Sequence, residues 1–170
     1  PYEKIRDAKK SFGWNSWLDG YGTNADGTAV IKAIFGSKLF DTPKPLSLLG
    51  WIVSLHNDEN AIILDSFADS GTTAHAVLNM NKADGGNRKF ILVEMMDYAD
   101  SITAERVKRV INGYGEGKQA VEGTGGNFSY YELGPVLLLP DGNINEDVDA
   151  QKIREYVYYM EPKEPLPAEQ

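Results

Sequence analysis

Small and hydroxyl-bearing residues concentrate in one turn of the sequence, Asp65 to Thr73 (DSFADSGTT). Small residues let the backbone approach a ligand, and the free amides at the start of a helix attract an anionic group. Glu94 follows Gly71 by 23 residues, close to the roughly 20-residue offset at which an acidic side chain binds ribose hydroxyls in dinucleotide folds. These residues predict a nucleoside site, although an ordinary strand-to-helix turn beside a surface glutamate explains the same pattern equally well.

The glycine content of this turn narrows the class of ligand. A pyrophosphate cradle needs the pattern G-x-G-x-x-G, whereas this turn contains only Gly71 and carries the carboxylate of Asp69. A polyphosphate therefore fits poorly, and a nucleoside that carries a cation fits better. A second glycine-rich stretch, Gly113 to Gly126, lacks the first glycine and the Ser or Thr of a P-loop, so we expect a mobile loop there.

The elements around the turn predict an α/β fold. Ala61 to Phe67 and Lys89 to Met95 are short apolar runs, typical of parallel strands that are covered on both faces. Thr72 to Met80 lies between them with helical spacing, and Asp84-Gly85-Gly86 ends it. Strand, helix and strand within about 35 residues form a βαβ unit, which is nearly always right-handed and parallel.

Apolar spacing, caps and helix breakers predict further helices. One is capped by Thr28 and ends at Gly36, and a second opens around Pro43 to Pro45 and ends near Asn57. A third helix around Val107 to Ile111 is predicted to expose three cationic side chains, Arg106, Lys108 and Arg109.

The carboxyl-terminal part is predicted to contain two strands and a helix. The strands are Phe128 to Leu133 and Val136 to Leu139, and the helix runs from about Asp147 to Met160. The tail from Glu161 alternates proline with charge and is expected to fray. His75 lies on the helix after the turn, where a packed or surface histidine is expected rather than a metal ligand or base.

Composition excludes several functional classes. The 170 residues fit one domain with its own core. There is no cysteine, which excludes disulfides, thiolate metal sites and cysteine nucleophiles. No apolar run is long enough to span a membrane, and the first residues show no secretory pattern, so we expect a soluble cytoplasmic protein. The net charge of −8 repels phosphate, so another segment should make most contacts to any nucleic acid.

Five ordered segments carry a family resemblance that covers nearly the whole chain. They are FDTPKP (Phe40 to Pro45), ILDSFADSGTTAHAVLNMN (Ile63 to Asn81), DGGNRKFILVEMMDY (Asp84 to Tyr98), RVKRVI (Arg106 to Ile111) and EGTGGNFSYYEL (Glu122 to Leu133), with TNADGT (Thr23 to Thr28) upstream. They resemble the carboxyl-terminal part of type III restriction-modification DNA methyltransferases, the modification subunits of the β class that methylate adenine N6. The resemblance implies a partial Rossmann-like sheet, mostly parallel with flanking helices, and S-adenosylmethionine as cofactor.

The resemblance also implies roles for residues in two segments. The turn is similar to the family's D-x-F-A-G-S-G-T-T, so its backbone and the hydroxyls of Ser70 to Thr73 would face the methionine moiety, and Glu94 would bind the ribose. Asp69 stands where the family commonly has glycine, and its charge could repel the methionine carboxylate or attract the sulfonium. Lys44 could pair with that carboxylate. The implied cofactor-binding set is Asp41, Thr42, Lys44, Asp65, Phe67, Ala68, Asp69, Ser70, Gly71, Thr72 and Glu94.

No catalytic residue is predicted in this chain. The family's Asp/Asn/Ser-Pro-Pro-Tyr tetrad, which orients a flipped-out adenine, precedes the cofactor motif, and the eight prolines here include no Pro-Pro pair. We therefore expect the chain alone to be inactive, with DNA bound mainly by upstream regions and a restriction subunit as partner. The expected organisation is one domain, with a loop and helix in 1–40, the cofactor-binding core in 41–133, and a strand, helix and tail in 134–170.

In the family's sheet the strand that bears the turn pairs on its other side with the strand that leads to the tetrad. Without that neighbour the edge of the Ala61 to Phe67 strand would be unpaired, so we expect the isolated chain to form homo-oligomers or to cover the edge with its own amino-terminal segment.

Two other functions stay open: a non-catalytic assembly module with a degenerate cofactor site, motivated by Asp69, and a stand-alone enzyme acting on another nucleoside.

Overall fold

The computed structural model describes residues 18–161, so the start of the predicted 1–40 segment and the predicted frayed tail lie outside the described residues. The chain forms two compact units, one ending at Phe128 and one beginning at Ser129, and each is described by itself. The helices are α1 (Asn24–Phe35), α2 (Leu46–Ser54), α3 (Thr72–Asp84), α4 (Glu105–Asn112) and α5 (Ala150–Met160); the strands are β1 (Ile62–Asp65), β2 (Lys89–Leu92), β3 (Gly113–Tyr114) and β4 (Val121–Glu122). Within residues 18–161, none of the helices combines the length and apolarity needed to cross a bilayer.

The predicted βαβ unit is confirmed. β1 and β2 lie parallel, with Ile63 opposite Phe90 and Leu64 opposite Ile91, and α3 connects them. Each strand has 4 residues and is shorter than the apolar run that predicted it. Among the described residues this sheet contains β1 and β2 alone. The architecture is therefore mixed α/β with a small parallel sheet, compatible with part of a methyltransferase fold.

The two faces of the parallel sheet differ in burial. Phe90 and Leu92 pack against a core cluster contributed by α1, α3 and α4. Ile62, Leu64 and Ile91 are on the opposite face and are more than half exposed. The expectation that these strands are covered on both faces is thus wrong within residues 18–161, because the helices described there cover one face of the sheet.

Helices α1 and α2 bring the segment between them toward the core. α1 begins with a capping box in which Thr23 and Asp26 bond to each other's backbone, so the predicted cap at Thr28 is wrong; the Thr28 hydroxyl bonds within the helix, to the carbonyl of Asn24. Gly36 ends α1 in the left-handed conformation (φ 79°), as predicted. Gly27 packs so closely on the intervening segment that an added Cβ would lie 2.9 Å from the Lys44 carbonyl oxygen.

The region before and within α4 differs from its prediction. A π-helix, Ala99–Ala104, precedes α4 and was not predicted. Lys108 is exposed and Arg109 is partly exposed, but Arg106, predicted on the solvent side with them, is completely buried. The reason is that α4 packs on α3, and polar acceptors of the preceding turn surround the Arg106 guanidinium.

The glycine-rich stretch after α4 contains regular structure. β3 and β4 form a short antiparallel pair, with Gly113 opposite Glu122 and Tyr114 opposite Val121. The Lys82 ammonium on α3 donates to the Glu122 carboxylate (2.9 Å) and to the Gly123 carbonyl (3.0 Å). The mobile loop predicted for Gly113 to Gly126 is therefore replaced, in part, by a hairpin attached to α3.

The second unit consists of a short hairpin-like loop and one helix. Leu138 and Ile144 form an isolated antiparallel bridge, and neither strand predicted between Phe128 and Leu139 is present as a strand. α5 begins at Ala150, three residues later than predicted, because Asp149 caps it by accepting a hydrogen bond from the Gln151 amide (2.8 Å).

Candidate functional site

The predicted ligand-binding turn joins β1 to α3. Asp65, at the end of β1, organises it by accepting hydrogen bonds from the Phe67 amide and the Thr73 hydroxyl. The Ala68 amide donates to the Val93 carbonyl (3.1 Å), which ties the turn to the chain leaving β2. Gly71 is the N-cap of α3 with φ 76° and supplies no capping side chain. The Gly71 amide donates to the Ala68 carbonyl (2.8 Å), and residues 70–78 are buried. The amides that follow Gly71, in the first turn of α3, have no carbonyl of an earlier helical turn to bond to and are the donors that a ligand could use.

Asp69 has a left-handed backbone, with φ 48°, and no other non-glycine residue among those described has a positive φ. A left-handed backbone is one that glycine adopts readily, and glycine is the residue expected here from the motif that the turn resembles. Aspartate tolerates such dihedrals better than most residues. The Asp69 carbonyl also accepts a hydrogen bond from the Thr103 hydroxyl, so the unusual conformation is held from the π-helix.

Glu94 lies directly against the turn. One of its carboxylate oxygens accepts a hydrogen bond from the Asp69 amide at 2.9 Å. The other accepts from the Met95 and Met96 amides at 2.9 and 3.0 Å. Because carboxylate oxygens have further lone pairs, and Glu94 is only partly buried, this side chain is fixed in position yet able to accept bonds from a ligand's hydroxyls.

The segment before α2 approaches the same turn through one residue. The Lys44 ammonium forms an ion pair with the Asp69 carboxylate at 3.3 Å. Asp41 and Thr42 are exposed, and Asp41 pairs with Lys38 at 3.1 Å. The rings of Phe40 and Tyr98 meet edge to face at 5.3 Å, so the segment also contacts the chain beyond Glu94.

The interior side of the turn is bonded to Arg106. Its guanidinium donates to the Ser70 carbonyl, the Ser70 hydroxyl and the Thr72 hydroxyl, at 3.2, 3.0 and 2.8 Å. These two hydroxyls are buried, so the expectation that they face a ligand is wrong; they are acceptors for a cation inside the protein. The hydroxyl of Thr73 is also engaged, with Asp65. The hydroxyls of Ser70, Thr72 and Thr73 are therefore all bonded within the protein.

His75 completes the buried group, as the packed histidine that was expected. Its Nδ1 lies 3.3 Å from a terminal nitrogen of Arg106, and arginine has no acceptor, so Nδ1 must carry a lone pair. Burial, with a smaller effect from the Arg106 charge, lowers the pKa of His75 to about 3. Burial also lowers the pKa of Arg106, to about 10, so near neutral pH the histidine is neutral and the arginine is charged.

Comparison with known proteins assigns the family. Residues 3–105, more than half of the chain, match the sequence profile of a family described as DNA methylase. This chain belongs to the DNA methylase family. The relatives that it resembles are named as Mod subunits of restriction-modification enzymes or as a methyltransferase, and they are much longer than the matched segments.

Three relatives illustrate the similarity of this DNA methylase chain to known proteins. The type III restriction-modification enzyme StyLTI Mod subunit of Salmonella typhimurium is 41% identical over 110 residues, which cover 56% of this chain and 17% of that subunit. The type II methyltransferase M.KpnI of Klebsiella pneumoniae is 49% identical over 78 residues, covering 46% and 19%. The type III EcoPI Mod subunit of Escherichia phage P1 is 37% identical over 78 residues, covering 46% and 12%. The matches thus span less than a fifth of each relative.

Thr103 and Arg106 contact the turn, and His75 contacts Arg106. None of these three contacts was predicted from the sequence. The predicted residues of 65–72 form the turn, with Ala68 buried and Phe67 exposed. Lys44 and Glu94 contact the turn, whereas Asp41 and Thr42 are exposed in the segment before α2. The small and apolar residues around Arg106 were a signal that it is buried. Those at the same face of the helical segment are buried as well: Thr103, Ala104, Val107 and Val110. A cation inside such a stripe requires acceptors, and these belong to a distant segment.

Proposed function

We propose that this chain is the S-adenosylmethionine-binding part of a type III adenine-N6 DNA methyltransferase, the modification subunit of a restriction-modification system. The observation that supports the proposal best is the contact between Glu94 and the turn: an acidic side chain 2.9 Å from the Asp69 amide, beside the start of α3, where Gly71 supplies no capping side chain. Family membership and the named type III relatives support the reaction class.

The donor and acceptor groups present suit this cofactor. Glu94 accepts hydrogen bonds from the two ribose hydroxyls, as acidic residues at this offset do in nucleoside-binding folds. The amides of Thr72 and Thr73, at the positive end of α3, face the methionine carboxylate. Lys44 is close enough to Asp69 (3.3 Å) to exchange that partner for the same carboxylate. The turn itself is shaped by Asp65, Phe67, Ala68, Ser70 and Thr72. Asp41 and Thr42 belong to the exposed segment that carries Lys44.

The cofactor supplies a methyl group activated by a positively charged sulfur. The part played by this chain is to bind and orient the cofactor, because a correctly held reactant removes much of the entropic cost of the reaction. The groups that orient the adenine amino nitrogen come from the tetrad of the family, which this chain lacks. Methyl transfer therefore requires regions outside the sequence, and the isolated chain is inactive.

The same proposal covers partners and fold. DNA is bound mainly by other regions, because the charge of −8 here disfavours contact with phosphates. A restriction subunit is the protein partner, and the site of action is the cytoplasm. The complete enzyme continues the parallel sheet of β1 and β2 into a Rossmann-like methyltransferase fold, with residues 1–170 belonging to one domain.

Calorimetry with S-adenosylhomocysteine tests the cofactor site. We expect the chain to bind it, and Glu94→Gln to weaken binding about ten-fold, because the neutral amide accepts weaker hydrogen bonds than the carboxylate. Asp97→Asn is the matched control, since it removes the same charge from an exposed position nearby and should leave the affinity unchanged. Loss of affinity in both variants, or in neither, would contradict the assigned role of Glu94.

Methylation by the complete gene product tests the reaction. The reading frame upstream should encode a Pro-Pro-Tyr tetrad, and the complete protein should transfer methyl groups to adenine N6 in DNA. A complete protein that binds a restriction subunit but neither S-adenosylhomocysteine nor S-adenosylmethionine would instead support a non-catalytic assembly module.

A further inference from the structure

Arg106 is a buried cation without an anionic partner among the described residues. Its side chain is 0% exposed and is the largest fully buried one in the described chain. The ion pairs found in residues 18–161 involve seven other cations, among them Arg88 and Arg109, and none involves Arg106. Burying a charge is costly unless it is compensated, so the structure maintains this one at a cost.

All polar contacts of Arg106 go to one stretch of chain. One terminal nitrogen bonds to the Ser70 carbonyl, the Ser70 hydroxyl and the Thr72 hydroxyl, and the other reaches His75 Nδ1. These acceptors are neutral and surround the start of α3, where the candidate site opens. The Arg106 Nε has no hydrogen-bond partner in the described structure, so neutral acceptors satisfy the guanidinium incompletely.

A second contact holds the same turn without a charge. Thr103, in the π-helix next to α4, donates its hydroxyl proton to the Asp69 carbonyl. Its carbonyl oxygen would lie 3.1 Å from a Cβ added to Gly71. One continuous helical segment, residues 99–112, therefore holds two consecutive carbonyls of the turn, those of Asp69 and Ser70. Thr103 and Arg106 both hold the turn, but only Arg106 is charged. A comparison of variants of the two residues therefore separates the effect of position from the effect of charge.

The charge and the helix start act in the same direction. The amides at the start of α3 favour an anion, and a positive charge in a low-dielectric interior acts over longer distances than one in water. We infer that Arg106 is a positioning residue for the cofactor, which shapes the turn and favours the carboxylate of the methionine moiety over the nucleoside part of the ligand. This inference rests on the proposed function.

Two ligands distinguish this role from a purely structural one. S-adenosylhomocysteine carries the amino-acid group, and methylthioadenosine is the corresponding nucleoside without it. The ratio of their dissociation constants is measured by calorimetry for the wild-type chain and for Arg106→Gln, Arg106→Lys, Thr103→Val and Lys108→Gln. Any loss of folded protein weakens both ligands by the same factor, so the ratio reports on recognition of the amino-acid group.

We expect Arg106→Gln to reduce the preference for S-adenosylhomocysteine about ten-fold, because it removes the buried charge. Arg106→Lys keeps a cation and should restore most of the preference. Thr103→Val should weaken both ligands equally, and Lys108→Gln, an exposed loss of the same charge, should change neither. An unchanged ratio in Arg106→Gln, or an equal fall of the ratio in Thr103→Val, would overturn the inference.

Hydrogen exchange tests the positioning role without a ligand. Because it is measured on Arg106→Lys, it applies even if Arg106→Gln fails to fold. In Arg106→Lys the amides of residues 70–73 should exchange faster, while the core amides of α4 keep their protection, because one ammonium cannot replace all the guanidinium bonds. Unchanged exchange in the turn would overturn the positioning role. If the wild-type chain bound neither ligand, the proposed function would fail, and faster exchange in the variant would still establish that Arg106 shapes the turn.

Discussion

Lys44 and Asp69, 25 residues apart in the chain, form an ion pair (3.3 Å) at the turn that precedes α3. Both side chains are about half exposed, so the pair contributes little to stability. The ion pair is of interest because of where it lies in the candidate site. Asp69 has a left-handed backbone (φ 48°) at the position where the motif that the turn resembles has glycine. Its carboxylate pairs with the lysine that we propose binds the cofactor's carboxylate.

Removing the Asp69 charge should therefore strengthen cofactor binding. We expect Asp69→Asn to raise the affinity for S-adenosylhomocysteine by a few-fold, since exposed ion pairs are worth roughly 0.2–1 kcal/mol and Lys44 becomes free. Asp69→Gly should do the same, and it also removes the cost of the left-handed backbone. Calorimetry at two salt concentrations checks this. Weaker binding in both variants would mean that Asp69 attracts the sulfonium instead.

The buried His75 should make stability depend on pH. Burial and the neighbouring Arg106 charge lower its pKa from 6.5 to about 3. Between these values the unfolded chain binds a proton that the folded chain does not, so stability is complete above about pH 6.5 and falls as the pH drops. From pH 6.5 to 4.5 the loss is roughly 2–3 kcal/mol.

Urea denaturation across this range measures the effect. His75→Asn keeps an acceptor near the Nδ1 position and does not titrate, so its stability should fall less between pH 6.5 and 4.5 than that of the wild type. Because Asp and Glu residues are common to both proteins, their difference isolates His75. Parallel curves for the two proteins would refute the low pKa.

Two helical glycines should respond to alanine in opposite directions. Gly50, within α2, has open space around the added Cβ, and Gly50→Ala should stabilise the protein by roughly 0.5–1 kcal/mol through helix propensity. In α1, Gly27→Ala would force a Cβ against the Pro43 and Lys44 carbonyls, and it should destabilise by roughly 1–3 kcal/mol. The two free energies of unfolding in urea provide the test. A stabilised Gly27→Ala variant would show that this close packing is dispensable.

The open face of the parallel sheet should cause self-association of the isolated chain. Ile62, Leu64 and Ile91 are side by side and more than half exposed, and β1 has β2 as its one neighbour among the described strands. We expect sedimentation velocity to show oligomers that increase with concentration, and Leu64→Lys with Ile91→Lys to reduce them. Val121→Lys, an apolar-to-lysine change in β4, is the control. A wild-type chain that stays monomeric at every concentration would contradict the prediction.

Local signals were sufficient where the physics is local. Gly36 ends α1 at φ 79° and Gly85 ends α3 at φ 75°, as predicted, because a left-handed terminus depends on the residue itself. The cap predicted at Thr28 was wrong because the helix begins earlier, at a capping box formed by Thr23 and Asp26. The strands predicted between Phe128 and Leu139 failed because β propensity depends on neighbouring strands, which this unit does not provide within its described residues.

The sequence by itself determined the βαβ order, the turn from Asp65 to Thr73 and the family to which the chain belongs. Only the tertiary structure decided which way the polar groups of that turn face. Ser70 and Thr72 point to Arg106, and the Asp69 amide to Glu94, across separations of 25 to 36 residues. Spacing along a chain specifies which residues share a face of one element. Whether a cation on that face meets water or buried acceptors depends on which other element packs against it.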